Sequence, residues 1–142
     1  MVVRYNGTGC YNVMMQTYIE VPRRKWGVVV VTDFDTDKEY DELKAQFESF
    51  GMSERGARHA LGILSHYNTG MTISNDDLKM SAIYISKATT PSEFWNTCIH
   101  ELIHASDAII DYYGVEWGSE SSAYLVGFLT KELVELIAEP CR

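Results

Sequence analysis

Apolar residues near the start of the chain fall in two short runs that predict β-strands. Residues 14–21 and 25–34 are rich in β-branched and aromatic side chains, and a polar turn beginning at Pro22 separates them. In the second run, the valines at positions 28–31 follow one another without a polar residue. Such a run is typical of a strand that is covered on both faces. The pattern therefore predicts a surface turn followed by a buried strand.

In the next stretch, the apolar residues recur at helical spacing. Thr36 and Glu39 form a capping-box pattern, which predicts that a first helix begins there and runs to Gly51. Ser53 can cap a second helix, which is predicted to end near Gly70. Two helices are therefore expected directly after the first pair of strands.

A hairpin and two further helices follow. The hairpin strands are predicted at residues 71–74 and 79–86, on either side of a polar turn. The third helix is the best marked in the chain, because Thr90 provides an N-cap and Gly114 a stop signal. A fourth helix is predicted over residues 120–138.

The order of these elements predicts the fold class. Strands, two helices, a hairpin and two more helices are typical of an α+β fold, here a small mixed sheet packed on about four helices. A length of 142 residues is that of one ordinary domain, and no repeat or linker interrupts the chain. We therefore expect a single domain over residues 1–142.

Charge and composition exclude several classes of protein. The formal net charge is −8, and a nucleic-acid partner is not expected, because such proteins neutralise phosphates with basic residues. No apolar run reaches the roughly 18 residues of a transmembrane helix, and the N-terminus lacks a signal-peptide pattern. Three cysteines without CxxC spacing indicate neither a disulfide framework nor a cysteine-based zinc site. We expect a cytoplasmic protein without a membrane partner.

The third predicted helix carries the sequence His-Glu-Leu-Ile-His at residues 100–104. Residues four apart share a helix face, so the imidazoles of His100 and His104 are expected to bind one Zn²⁺. Glu101 is offset from them and is expected to take a proton from a water on the metal. The alternative is a pair of hydrogen-bonded histidines on a partly buried helix face. The motif predicts one zinc ion per chain.

A catalytic zinc site needs a third protein ligand and one open position. The metzincin pattern fails, because Asp107 and Ile110 stand where its glycine and third ligand would be. Asp107, Glu116 and Glu120 remain as candidates. We favour Glu120, because the small residues Ala123 and Gly127 follow it at helical spacing and predict a close crossing of the last two helices. Asp107 would then accept a hydrogen bond from a ligand histidine.

These residues resemble a known family. The motif at residues 100–104, followed by Glu120-Ser-Ser-Ala-Tyr124, is similar to minimal gluzincin-type zincins, and in particular to ImmA-like metallopeptidases. Residues 70–130 also resemble short peptidases encoded by bacteriophages. The resemblance implies that His100, His104 and Glu120 bind zinc and that Glu101 is the general base. The chain departs from thermolysin-like gluzincins at Tyr124, where they have an aspartate.

The resemblance also implies where a substrate would bind. In zincins, the strand before the active-site helix lies at a sheet edge and pairs with the substrate backbone, and here that strand would be residues 79–86. For the donor that stabilises the oxyanion, Tyr124 is our first candidate, with His66, Tyr112 and Tyr113 behind it.

Three functions follow from these expectations. The first is a zinc-dependent endopeptidase that acts on an intracellular protein, and the second is a zinc hydrolase of another amide. The third is a non-catalytic zincin-fold binding or structural protein of a phage or mobile element. An intact Glu101 favours catalysis, since a structural site needs no general base. We do not expect Cys10 to act as a latency switch on the zinc.

Overall fold

The computed structural model describes residues 14–138. Within them the chain forms four strands and four helices, which confirms the α+β prediction. In chain order these are β1 (Met15–Val21), β2 (Trp26–Thr32), α1 (Tyr40–Ser49), α2 (Glu54–Leu64), β3 (Gly70–Asn75), β4 (Met80–Ile85), α3 (Pro91–Tyr113) and α4 (Glu120–Ala138). The four strands form one mixed sheet in the order β1-β2-β4-β3, in which only the β2–β4 pair is parallel.

The sheet lies between two layers of helices. Alternate side chains of β4 point to opposite faces. Ala82 and Tyr84 pack with α1 and α2, whereas Ile83 and Ile85 pack with α3 and α4. The valines at 28–31 divide in the same way, with Val30 on the second of these faces. Both faces of β2 are therefore covered, which confirms the prediction of a buried strand without alternation.

Helix α3, which carries the motif, has the ends that the sequence predicts. The Thr90 side chain accepts a hydrogen bond from the backbone N–H of Glu93, and Pro91 occupies the first turn. At the other end, Gly114 has a φ of 65°, which a glycine adopts without steric cost. Because both ends are fixed locally, the motif lies in the middle of a regular helix.

Two helix boundaries differ from the prediction. Helix α1 begins at Tyr40, four residues after the predicted cap Thr36, and no side chain caps it. The turn before it is closed by Asp35, whose carboxylate accepts hydrogen bonds from the N–H groups of Asp37 and Lys38 and whose own N–H donates to the Glu39 carboxylate. Helix α2 ends at Leu64, six residues before the predicted end. The Thr69 hydroxyl caps this end: it lies within hydrogen-bond distance of the Ile63 and His66 carbonyl oxygens and has one proton to donate to either. The prediction for α2 missed this side-chain cap.

The predicted position of the edge strand was wrong. Strand β4 pairs with β2 on one side and β3 on the other, so it lies inside the sheet. The strand that lies at the sheet edge beside α3 is β3. The sequence showed a hairpin, but only the parallel pairing of β2 with β4 decides which hairpin strand has an open edge.

No helix among residues 14–138 combines the length and apolar character needed to cross a membrane. Cys10, which we did not expect to bind the metal, precedes the residues that the structure describes.

Candidate metal centre

The two histidines of the motif lie side by side on the outer face of α3. Both are exposed to solvent, and the sheet lies on the opposite side of the helix, where Leu102 and Ala105 are buried. The Nε2 atoms of His100 and His104 are 3.2 Å apart, and their ring centroids are separated by 4.9 Å. The helix therefore presents two imidazole nitrogens at one point of the surface.

This separation fits a shared zinc ion. Two nitrogens that each lie 2.0–2.1 Å from a tetrahedral Zn²⁺ are about 3.3 Å apart, close to the 3.2 Å found here. In the absence of an ion, the same contact requires one Nε2 to carry a proton and the other to accept it. The spacing of the pair thus fits two of the three ligands that a catalytic zinc site needs.

An open groove runs along the same helix face. Its volume is about 590 Å³, and it is lined by the two histidines together with Trp95, Asn96, Ile99 and Ile103. Ile99 and Ile103 are 38% and 39% exposed, which makes one side of the groove apolar. Asn96, four residues before His100, places a side-chain amide on that side of the helix. We did not predict Asn96, although its helical spacing from His100 could have indicated it.

Glu101 points away from the exposed face and towards β3. It is 6% exposed, and its Oε2 accepts a hydrogen bond of 2.6 Å from the Thr72 hydroxyl. Gly70, on the same strand, lies so close that an added Cβ would be 2.7 Å from the Glu101 Cγ atom. Glu101, the candidate base, is therefore held between α3 and the edge strand β3. The spacing of the motif residues does not reveal this arrangement.

No third ligand is assembled in the described part of the chain. Among residues 14–138, no group of three or more His, Cys, Asp and Glu side chains is placed to hold a metal ion. Glu120 is exposed at the first turn of α4. It lies about 160° around that helix from Ser122, which is buried. Glu120 therefore projects from the outer face of α4 and does not join the histidines.

The prediction that Ala123 and Gly127 mark a close crossing of α4 over α3 was wrong. Ala123 and Gly127 are both exposed, and a Cβ added at Gly127 would meet nothing within 4 Å. The helix instead buries Leu129 and Leu133, which belong to the same core as Leu102 of α3. Large apolar residues determine which face of α4 packs on α3 and the sheet, because they remove the most surface from water.

Asp107 has a different partner from the one predicted. Its carboxylate accepts a hydrogen bond of 2.8 Å from the Trp117 indole and none from a motif histidine. This bond attaches the loop between α3 and α4 to α3, one turn beyond His104. Glu116, the weaker ligand candidate, is exposed in the same loop.

The candidate oxyanion donors lie elsewhere. Tyr124 is 75% exposed and lines a cleft beside Arg23 and Arg24. His66 lines a separate cleft that includes Asp35 and Lys87.

The remaining two candidates, Tyr112 and Tyr113, pack against Trp26 with centroid distances of 5.4 and 6.4 Å. On α3, Tyr112 is about 18 Å along the axis from His100. The structure does not bring any of the four candidate donors to the groove.

Cys98 can be excluded as a participant. Its side chain is fully buried between α3 and the sheet, and burial raises the pKa of its thiol to about 12. Cys98 is not among the residues that line the groove with the two histidines. This agrees with the interpretation of Cys98 as a small core residue.

Comparison with protein-family models, with curated proteins and with solved structures gives no match to this chain. The resemblance to ImmA-like metallopeptidases remains a prediction from the motif.

Proposed function

We propose that this chain is a zinc-dependent endopeptidase of the cytoplasm that hydrolyses a peptide bond of an intracellular protein. The observation that carries the proposal is the pair of imidazole nitrogens 3.2 Å apart in an open groove, next in sequence to a carboxylate held by a neighbouring strand. His100 and His104 would hold the ion, and a zinc ion held there would supply Lewis acidity.

In this proposal the chain's own residues have separate tasks. Glu101 takes a proton from the attacking water and later delivers it to the leaving amine, as a general base and then a general acid. Asn96 supplies an amide N–H in the same groove, where it can donate to an oxygen that becomes negative. We therefore propose Asn96 in place of Tyr124 as the side-chain donor to the oxyanion.

The geometry also favours an extended substrate. Strand β3 lies at the sheet edge next to α3, so its outward backbone groups can pair with a peptide added as a further strand. Ile99 and Ile103 form an apolar side to the groove. We propose that a large apolar side chain of the substrate, close to the bond that is cleaved, packs against them.

This function predicts two results for the unmodified protein. Purified protein should contain one zinc per chain by mass spectrometry of the metal. It should also cleave members of a peptide library. This peptidase activity should be lost when zinc is removed and should return when zinc is added back. A protein that binds no zinc at micromolar concentration would contradict the proposal.

We propose Glu120 as the third ligand, reached by a change of its side-chain rotamer, because Trp117, three residues before Glu120, is hydrogen-bonded to Asp107 of α3. The exposed side chain of Glu120 can change rotamer without breaking a packed contact. Glu120→Ala should then weaken zinc binding by more than the roughly 10–100-fold that is typical for losing an outer-sphere group. Asp107→Ala should have the smaller effect, and competition with a chelating dye would measure both. The reverse ranking would give the ligand role to Asp107.

A second candidate function is a non-catalytic metal-binding module, of a phage or mobile element, whose partner completes the coordination. The observation that favours it is that no third ligand is assembled among residues 14–138. Such a module would bind zinc tightly only with its partner and would cleave no peptide. The library experiment above therefore separates the two candidates.

A further inference from the structure

We infer that Thr72 and Gly70 of strand β3 are positioning residues for Glu101: they fix the carboxylate so that one oxygen is bound and the other is open. The inference rests on the proposed function for its catalytic consequence. Its structural basis is independent of that function and lies in the contact between α3 and the edge strand.

The first observation is the hydroxyl contact. The Thr72 Oγ1 lies 2.6 Å from the Glu101 Oε2 and 3.0 Å from the Glu101 backbone oxygen. A hydroxyl has one proton to donate, and the shorter contact to the carboxylate is a charge-assisted hydrogen bond. A threonine at this position also has a stiff χ1 angle, so its hydroxyl provides a well-defined point of attachment.

The second observation concerns the other carboxylate oxygen. Within the described residues, Oε1 of Glu101 accepts no hydrogen bond, yet it is not among the buried polar atoms that lack a partner. Oε1 therefore keeps some solvent-accessible surface, although the residue as a whole is only 6% exposed. One bound and one open oxygen is the arrangement that a general base needs, because the open oxygen takes the proton and the bound one limits its motion.

The third observation is the close approach at Gly70. A Cβ at this position would lie 2.7 Å from the Glu101 Cγ atom and 2.7 Å from the Thr97 Cγ2 atom. These atoms are too close for any residue larger than glycine unless both the Glu101 and the Thr97 side chains move. The missing side chain at Gly70 therefore leaves room for the methylene groups of Glu101, and Thr72 holds the Glu101 carboxylate.

The inference predicts the effect of removing the hydroxyl. Thr72→Val keeps the shape of the side chain but loses the donor, so kcat for a cleaved peptide should fall roughly ten- to hundred-fold, the value of a hydrogen bond to a charged group. KM and zinc affinity should stay at their wild-type values, since Thr72 contacts neither groove nor histidines. Thr72→Ser restores the hydroxyl and should recover most of kcat.

A matched control is available on the same strand. Ser74 lies on the same face of β3, and its hydroxyl bonds to Ser81 and not to Glu101. Ser74→Ala should therefore leave kcat unchanged. For Gly70→Ala, the control is Gly62→Ala, because a Cβ at Gly62 would meet nothing within 4 Å. The inference would be overturned if Ser74→Ala lowered kcat as much as Thr72→Val does, or if Gly62→Ala lowered it as much as Gly70→Ala does.

A double-mutant cycle tests whether Thr72 acts through Glu101. In a Glu101→Gln background, Thr72→Val should lower kcat no further, because the group that it positions is already gone. Additive losses would overturn the inference.

Crystal structures of the zinc-free Thr72→Val and Thr72→Ser proteins supply a readout apart from activity. The Glu101 carboxylate should leave β3 in the first and stay in the second. If the wild type cleaves nothing, the proposed function fails whatever these structures show. If the wild type cleaves peptides and Thr72→Val matches it in kcat, only the positioning role fails.

Discussion

Replacing His100 or His104 with alanine is expected to abolish stoichiometric zinc binding. The two nitrogens lie 3.2 Å apart, so each supplies one of only two ligands that the described structure places together. Losing a direct ligand should weaken zinc affinity beyond the roughly 100-fold upper end that is typical for an outer-sphere group. Metal content after gel filtration, together with dye competition, would measure the loss.

The chain provides a control for this experiment. His59 is exposed on α2, in the helical layer on the other side of the sheet, so His59→Ala should keep full zinc occupancy. Full occupancy in His100→Ala or His104→Ala would contradict the site. A wild-type ratio of one zinc per two chains would show instead that two copies share the ion.

The second large effect is expected for Glu101→Gln. Glutamine keeps the size of the side chain and can still accept a hydrogen bond from Thr72, but it cannot take a proton from water. Peptide hydrolysis should fall by at least the roughly 10²–10⁴-fold that general-base catalysis supplies. Initial rates on the best peptide from the library would measure the fall, with zinc content determined on the same samples.

Zinc content and thermal stability of Glu101→Gln should match the wild type, because the buried amide keeps the contact with β3. Asp111→Asn is a suitable control. Asp111 is exposed on the same helix, and its replacement by asparagine removes one negative charge, as Glu101→Gln does. If Glu101→Gln cleaves peptides at the wild-type rate, Glu101 is not the base and the proposed mechanism is wrong.

Local signals in the sequence determined most of the secondary structure. Thr90 and Gly114 fixed the ends of α3, because capping and left-handed backbone depend on neighbouring residues. The unbroken valines at 28–31 predicted a strand covered on both faces, because side chains alternate across a strand. Where the sequence prediction failed locally, as before α1, a polar turn closed by the Asp35 carboxylate precedes the helix and delays its start to Tyr40.

The sequence also determined the histidine pair. A separation of four residues on a helix places two side chains on one face whatever surrounds the helix. This spacing brings the two rings within reach of each other, and their side-chain rotamers place the Nε2 atoms 3.2 Å apart. The candidate ligands His100 and His104 could therefore be named before any fold was known.

Only the tertiary structure decided what surrounds the pair. The pairing of β2 with β4 places β3 at the edge, and this brings Thr72 to Glu101 across 29 positions of sequence. The burial of Leu129 and Leu133 turns Glu120 outwards, against the expectation from the small residues beside it. Contacts of this kind depend on which strands pair and which helix faces remove most apolar surface from water. Those are properties of the whole chain, and no local spacing contains them.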